Sequence, residues 1–488
     1  MGVERVTGAA RSVPPLLGME RGRSAGSTTS RDRGSRRGSR PTATTGRGAR
    51  CKVRASSEAA AATTVSEVHP ASAAGSPKIC IVGGGFGGLY TALRLTTLVW
   101  PGKSKPEITL VDQRDRFVFK PLLYELLTEE LDLDEVAPRF VDVLSRTGVN
   151  FVQGKVAETL PKGEGDGARG KVELESGEVI EYDYLVMALG SGTRLDMVEG
   201  AKEHALPFCN LEDALSLKGY LRGEAERGRK PTLAVVGGGV NGVELAASLV
   251  DKYGDRVLVQ LMTPGSDILE SYPKEQRQNA WNTLSLGKVD VRLGTKVTKI
   301  EAGAEGGKYS LSIENVESGE GVVEVDKILW TAGQKPASVG SSPPGATSGS
   351  FLKRNEGGSV VTDGTLRMLD SSYVFALGDV AVQEGEQQSK YSLTAQVAFQ
   401  QSDYVAWNVW SSINKQPLLP FQYQHLGDMM SLGQNEATVG LPVGGLNLTG
   451  LPASLLRKTA YIYRMPTLEY SARLGLTWAA RLLRGQVK

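Results

Sequence analysis

Two short apolar runs, 154 residues apart, set the pattern of this chain. Ile79-Cys80-Ile81-Val82 leads into Gly83-Gly84-Gly85-Phe86-Gly87-Gly88, after which Leu89, Ala92 and Leu93 recur at helical spacing. Leu233-Ala234-Val235-Val236 leads into Gly237-Gly238-Gly239-Val240-Asn241-Gly242, followed by Leu245 and Ala246. An unbroken apolar run bounded by glycines reads as a buried strand, and the spacing beyond it as a helix packed on that strand. A second echo pairs Asp183-Tyr184-Leu185-Val186-Met187-Ala188-Leu189-Gly190 with Asp326-Lys327-Ile328-Leu329-Trp330-Thr331-Ala332-Gly333, 143 residues apart. One strand–glycine–helix unit with its closing strand therefore occurs twice. The pattern predicts an α/β fold with two Rossmann-like dinucleotide-binding domains.

Composition narrows the chemistry. Glycine supplies 59 of 488 residues, above the ~7% average, as tight turns and close backbone approaches require. Cys51, Cys80 and Cys209 are too far apart for a CxxC pair or a thiolate metal site. His69, His204 and His425 fall in no metal-binding or catalytic pattern and are taken as ordinary residues. No metal site is expected, and a bound cofactor must carry the chemistry.

The overall charge of +2 is an average over unlike parts. Residues 1–54 hold 13 basic residues against Glu4, Glu20 and Asp32, are rich in Ser, Thr and Gly, and lack a secretory apolar run. That composition predicts an organelle transit peptide, with 55–76 as a flexible lead-in. Without 1–54 there remain 43 basic and 51 acidic residues, so no nucleic-acid partner is expected. Residues 451–488 reverse the sign again, with seven basic residues against Glu469. There Leu474, Trp478 and Leu482 recur every four residues beside Arg473, Arg481 and Arg484, the pattern of a helix lying in a bilayer interface. The competing reading is a terminal helix packed on the protein's own core. No segment reads as transmembrane, since Ala437 to Leu456 is interrupted by Gly, Pro and Asn447.

Each glycine motif can hold a pyrophosphate: Gly83 and Gly237 for the tight turn, Gly85 and Gly239 for close approach, Gly88 and Gly242 for helix packing on strand. After the first, Ile108-Thr109-Leu110-Val111 ends in Asp112, placed to hold ribose hydroxyls. After the second, the apolar run ends in Thr263, where a carboxylate would repel a 2′-phosphate, so NADPH is favoured with NADH allowed. Lys252 and Arg256 are candidate phosphate partners, with a plain surface role the alternative.

Tyr373-Val374-Phe375-Ala376-Leu377-Gly378-Asp379 resembles the flavin fingerprint of the two-dinucleotide-domain flavoproteins, which implies FAD at the first site, with Gly378 and Asp379 at its ribityl chain, and NAD(P)H at the second. Thr394-Ala395-Gln396-Val397-Ala398-Phe399-Gln400 resembles the AQxAxQ segment of type II, rotenone-insensitive NAD(P)H:quinone oxidoreductases. Phe117 to Glu125 and Gly239 to Ala246 resemble two further segments of that family, and with the leader the chain is most similar to its plastid branch. The resemblance implies Ala395, Gln396 and Gln400 at the start of a helix beside the flavin, with Gln396 lining a prenylquinone pocket. It also implies Glu244 near the nicotinamide, and location at a plastid membrane surface or lipid droplets, with the mitochondrion left open. Phe399 departs from a position that is more polar in some relatives.

The expected reaction passes hydride from NAD(P)H to FAD and two electrons on to a plastoquinone- or naphthoquinone-type acceptor, without proton pumping. The expected organisation is FAD domain 77–205 and 336–412, NAD(P)H domain 206–335 and membrane-association region 413–488, with a homodimer left open. Two other readings stay open: a soluble cysteine-free flavin reductase with a ferredoxin-like or ascorbate-radical acceptor, and a flavin-bound NAD(P)H sensor.

Overall fold

The computed structural model describes residues 75–101, 105–165, 167–303, 307–339, 351–386, 393–442 and 445–483. The predicted transit peptide and nearly all of the lead-in lie outside the described residues.

Two five-stranded parallel sheets carry the two glycine motifs. In the first, Lys78–Val82 is central, flanked by Glu107–Asp112 and then Asn150–Gln153 on one side, and by Tyr184–Met187 and then Val374–Ala376 on the other. In the second, Thr232–Val236 is central, flanked by Leu258–Met262 and Asp290–Arg292, and by Lys327–Trp330 and Ala205–Pro207. The two echoes in the sequence are thus the central strand and its neighbour in each sheet. Cys80, Ile81, Leu233 and Val235 are fully buried, as expected for strands covered on both faces.

Each unit also carries a three-stranded antiparallel meander just before its closing strand: Val156–Leu160, Gly170–Leu174 and Val179–Tyr182 in the first, and Thr295–Ala302, Tyr309–Asn315 and Gly319–Val325 in the second. A two-stranded ribbon, Ser191–Thr193 with Gln334–Pro336, follows the closing strands and ties the units together.

The C-terminal part differs from the expected surface region. Asp428–Ser431, Ala437–Gly440 and Asn447–Thr449 form a small antiparallel sheet that packs on helices Val240–Tyr253 and Lys274–Leu286 of the second unit. Helices Gly450–Arg464 and Leu468–Leu483 follow. Of the stripe expected to enter a bilayer, Leu474 and Trp478 are buried in the main core and pack on the protein itself, while Leu482 is exposed. Of the basic residues expected to face lipid, Arg473 is exposed, whereas Arg457 is 1% exposed, Lys458 reaches Glu130 at 3.6 Å, Arg464 lies 4.1 Å over the Phe399 ring and Arg481 donates to the Glu129 carbonyl at 2.9 Å. Arg484 and Lys488 lie outside the described residues. The exposed apolar positions of these helices are instead Leu451, Leu455, Tyr463, Leu468, Leu476, Leu482 and Leu483. A period read from sequence gives a helix an apolar face, but tertiary packing decides what covers it.

Candidate active site

The two glycine turns divide their work in the same way. Gly83 and Gly237 have φ of +103° and +126°, which glycine alone adopts without strain. A Cβ on Gly88 would strike the Gly83 carbonyl, and one on Gly242 the Gly237 carbonyl. Gly85 and Gly239, by contrast, have ordinary φ and nothing within 4 Å of a Cβ. They are the N-cap residues of helices Phe86–Thr97 and Val240–Tyr253, whose first N–H groups have no side-chain cap. Each turn is closed by its own backbone and open at one helix start, a cradle that fits a pyrophosphate.

Asp112 ends the strand beside the first turn. Its carboxylate accepts from the Gly84 N–H at 2.6 Å and the Arg114 N–H at 2.8 Å, while burial raises its carboxyl from the ordinary value. Thr263 stands in the corresponding place, 2.7 Å from where a Gly238 Cβ would be, and is buried without a carboxylate. A carboxylate reaches that loop from downstream: Glu270 accepts from the Ser266 N–H at 2.8 Å and hydroxyl at 3.2 Å. Lys252 pairs with Glu129 at 3.1 Å, and Arg256 donates to the Tyr253 and Lys252 carbonyls. Both lie before the strand that ends at Met262, about five residues or ~17 Å from Thr263, too far to be its phosphate partners.

Gly378 and Asp379 follow the edge strand of the first sheet. The Gly378 N–H donates to Gln401 Oε1 at 2.7 Å, and Asp379 accepts from the Ser191 hydroxyl at 2.7 Å. Gln401 belongs to helix Ala395–Ile413, capped by Thr394, so the helix start and the Gly-Asp turn are fastened together. Ala395 is its first residue. Gln396 donates to the Gly427 carbonyl at 3.2 Å and accepts from the Tyr423 hydroxyl at 2.5 Å. Gln400 exchanges two hydrogen bonds with the Gln424 backbone, at 2.7 and 2.9 Å. Both glutamines therefore face the segment 421–428.

Glu244, on the helix after the second glycine turn, is buried and accepts from the Ser431 N–H at 2.8 Å. Burial raises its carboxyl to about 7, against the lowering effects of the Ser431 N–H, Arg457 and Tyr124.

With this geometry in hand, the relatives can be read. The sequence profile of the pyridine nucleotide-disulphide oxidoreductases matches residues 77–402. The chain is 42% identical over 422 residues to an alternative NAD(P)H-ubiquinone oxidoreductase C1, chloroplastic/mitochondrial, of Arabidopsis thaliana, covering 83% of this chain and 81% of that one. It is 41% identical over 413 residues to the demethylphylloquinone reductase NdbB of Synechocystis, covering 83% and 96%. Among solved structures, NDH2 of Plasmodium falciparum in complex with NADH superposes with a TM-score of 0.67 at 16% identity, covering 83% of this chain and 98% of that one. The chain belongs to the pyridine nucleotide-disulphide oxidoreductases, in their alternative NAD(P)H-quinone oxidoreductase branch.

The oxidoreductase accordingly uses FAD and NAD(P)H. The disulphide chemistry in the family's name has no counterpart among the described residues: Cys80 and Cys209 are free, and burial pushes the Cys80 thiol up to about 12.

Two groups of residues escaped the sequence reading. The first surrounds Glu244. Arg457 enters the core from the penultimate helix and meets Glu125 at 2.5 Å, both at most 2% exposed, with Tyr461 beneath its guanidinium at 5.2 Å. Glu130 and Lys458 add a second pair at 3.6 Å. Arg457 works against the burial of Glu244 and Glu125 works with it, so burial remains the cause of the raised carboxyl. The sequence signal was that Arg457 shares a helix stripe with Ala453 and Tyr461, four residues to either side; only the charge excess was read. The second group, Tyr423 and His425, lies beside Gln396. Phe399, the departure from the family segment, packs against Tyr90 with ring centroids 4.5 Å apart and planes tilted by 56°, under Arg464.

Proposed function

We propose that the oxidoreductase transfers hydride from NAD(P)H to FAD and two electrons on to a membrane prenylquinone of the plastoquinone or naphthoquinone type. Bound FAD supplies the hydride acceptance and the two-electron transfer. The protein's residues bind and orient. Gly83, Gly85 and Gly88 would hold the FAD pyrophosphate and Asp112 its adenosine ribose, with Gly378 and Asp379 at its ribityl chain. Gly237, Gly239 and Gly242 would hold the nicotinamide nucleotide. Thr263 puts no carboxylate against a 2′-phosphate, which supports NADPH, whereas the nearby Glu270 keeps NADH in use.

The observation that carries the quinone reading is that one helix start joins two tasks. Gln401 grips the Gly378 turn, while Gln396 and Gln400, on the same helix, hold the backbone of 421–428. An acceptor there would lie between the flavin turn and the C-terminal sheet, with amide groups to hold its carbonyl oxygens. Glu244, buried and with its carboxyl raised to about 7, suits a position at the nicotinamide, where it holds a proton more readily than an ordinary carboxylate.

The names of the relatives support a plastid location, and the exposed leucines of the last two helices support attachment to a membrane surface. Among the described residues no helix is long and apolar enough to cross a membrane. Stopped-flow reduction by NADH and by NADPH, followed by reoxidation with prenylquinones, tests the reading. Rapid reduction and quinone reoxidation are expected, faster with NADPH. A flavin that reduces but survives every quinone would overturn it.

A further inference from the structure

We propose that Tyr423, His425 and Asp428 form a proton-delivery chain to the quinone oxygen bound beside Gln396. The inference rests on the quinone-site reading above and goes beyond it by naming the source of a proton. Reduction follows NAD(P)H + H⁺ + quinone → NAD(P)⁺ + quinol. The hydride brings two electrons and one proton, so a second proton must come from water to a quinone oxygen beside the half-buried Gln396. Gln396 and Gln400 cannot supply it, because a carboxamide does not titrate in water's range.

The neighbouring side chains can. The Tyr423 hydroxyl donates to Gln396 Oε1 at 2.5 Å, and its oxygen lies 3.2 Å from His425 Nδ1. His425 Nε2 is 3.5 Å from Asp428 Oδ2. Tyr423 is half-buried, whereas the His425 and Asp428 side chains are 47% and 39% exposed. The chain thus runs from the wall of the site to water in two steps. Its members are held in place from both sides: Gln424 by Gln400, Leu426 and Gly427 by Gln396, and Asp428 by the small sheet that begins there. Gly427 has φ +105°, and a Cβ there would strike the Gly440 carbonyl, so the bend that presents Tyr423 is fixed by backbone packing.

The balance closes without a further reagent. Asp428 Oδ2 faces His425 Nε2 across 3.5 Å, beside the imidazole that passes the proton on. Tyr423 gives its phenolic proton to a quinone oxygen in place of Gln396 Oε1, and its own oxygen takes the Nδ1 proton of His425. His425 is left neutral and regains a proton from water. Burial and the nearby Asp428 both hold the Tyr423 hydroxyl above its usual range, so Tyr423 is a poor acid unless recharged in the same step. Tyr423 touches the substrate; His425 and Asp428 act through it. The other groups in reach are Gln396 from the long helix and Tyr272, which faces Asp428 from the loop beyond Met262.

His425→Asn keeps a donor near the Nδ1 position but cannot carry the charge. Flavin reduction by NADPH should be unchanged, as should reoxidation by ferricyanide, which takes up no proton. Reoxidation by a short-chain prenylquinone should slow by at least ~10-fold and recover on adding imidazole. Tyr423→Phe should show the same selective loss without imidazole rescue. A His425→Asn enzyme with the parent quinone rate overturns the chain, and so does an equal loss with quinone and ferricyanide. If the parent enzyme reduces its flavin but no quinone reoxidises it, the quinone site itself falls and the chain with it.

Discussion

At the scale of single residues, the glycines separate two demands that a motif merges. Gly88 is closed in by the Gly83 carbonyl, whereas Gly85 has empty space where a side chain would go. Gly88→Ala is therefore expected to damage folding. Gly85→Ala should leave the unfolding temperature of the flavin-free protein unchanged and yet abolish retention of FAD, read from absorbance after gel filtration. Glu244 offers a second test. Its carboxyl is raised from 4.5 to about 7 in the fold, so the folded chain binds that proton more tightly than the unfolded one. The stability this contributes is complete below about pH 4.5 and is lost as pH rises through 7, a loss of about 3 kcal/mol. Glu244→Gln should flatten that part of the stability curve, measured by urea unfolding from about pH 5 to 8. Glu244 was legible because it sits at a fixed offset inside a local motif. Its ionisation was not, because that depends on Arg457, Tyr124 and the Ser431 N–H, which sequence separates from it by up to 213 residues.

At the scale of elements, the last helix shows how far a hydrophobic period can be taken. The period correctly gave an amphipathic helix at Leu468–Leu483, but Leu474 and Trp478 lie in the core and Leu476 and Leu483 face outward. Leu474→Ala should cost ~2–5 kcal/mol in urea unfolding without a specific effect on membranes. Leu476→Glu with Leu483→Glu should leave stability within ~0.5 kcal/mol and sharply reduce sedimentation with anionic lipid vesicles. The parallel strands and glycine helices were readable because each is specified by its own few residues. The antiparallel meanders, the small sheet at 428–449 and the wall formed by 421–428 were not. The meander strands pair with their sequence neighbours but through irregular registers at Val156/Glu158 and Val297/Lys299, while the wall at 421–428 depends on a distant segment, as when Gln396 fixes Gly427 and Leu426.

At the scale of the whole molecule, the C-terminal helices are a structural part of the catalytic body. Arg457 leaves a buried carboxylate unpaired if it is lost. Arg457→Leu is expected to destabilise the protein by ~3–5 kcal/mol, and the double variant Glu125→Leu with Arg457→Leu to recover most of that in chemical denaturation. Removing residues 451–488 would therefore unfold the enzyme as well as strip its apolar surface, so deletion alone cannot report on membrane attachment. The same ion pair also bears on how the chain is made. Glu125 and Arg457 are 332 positions apart, and a ribosome adding ~5–20 residues per second needs on the order of 20 to 60 s to supply the second after the first. For most of that interval the emerging first unit also lacks its edge strand Val374–Ala376. It waits in a partly open form until the penultimate helix, which carries Arg457, has been released.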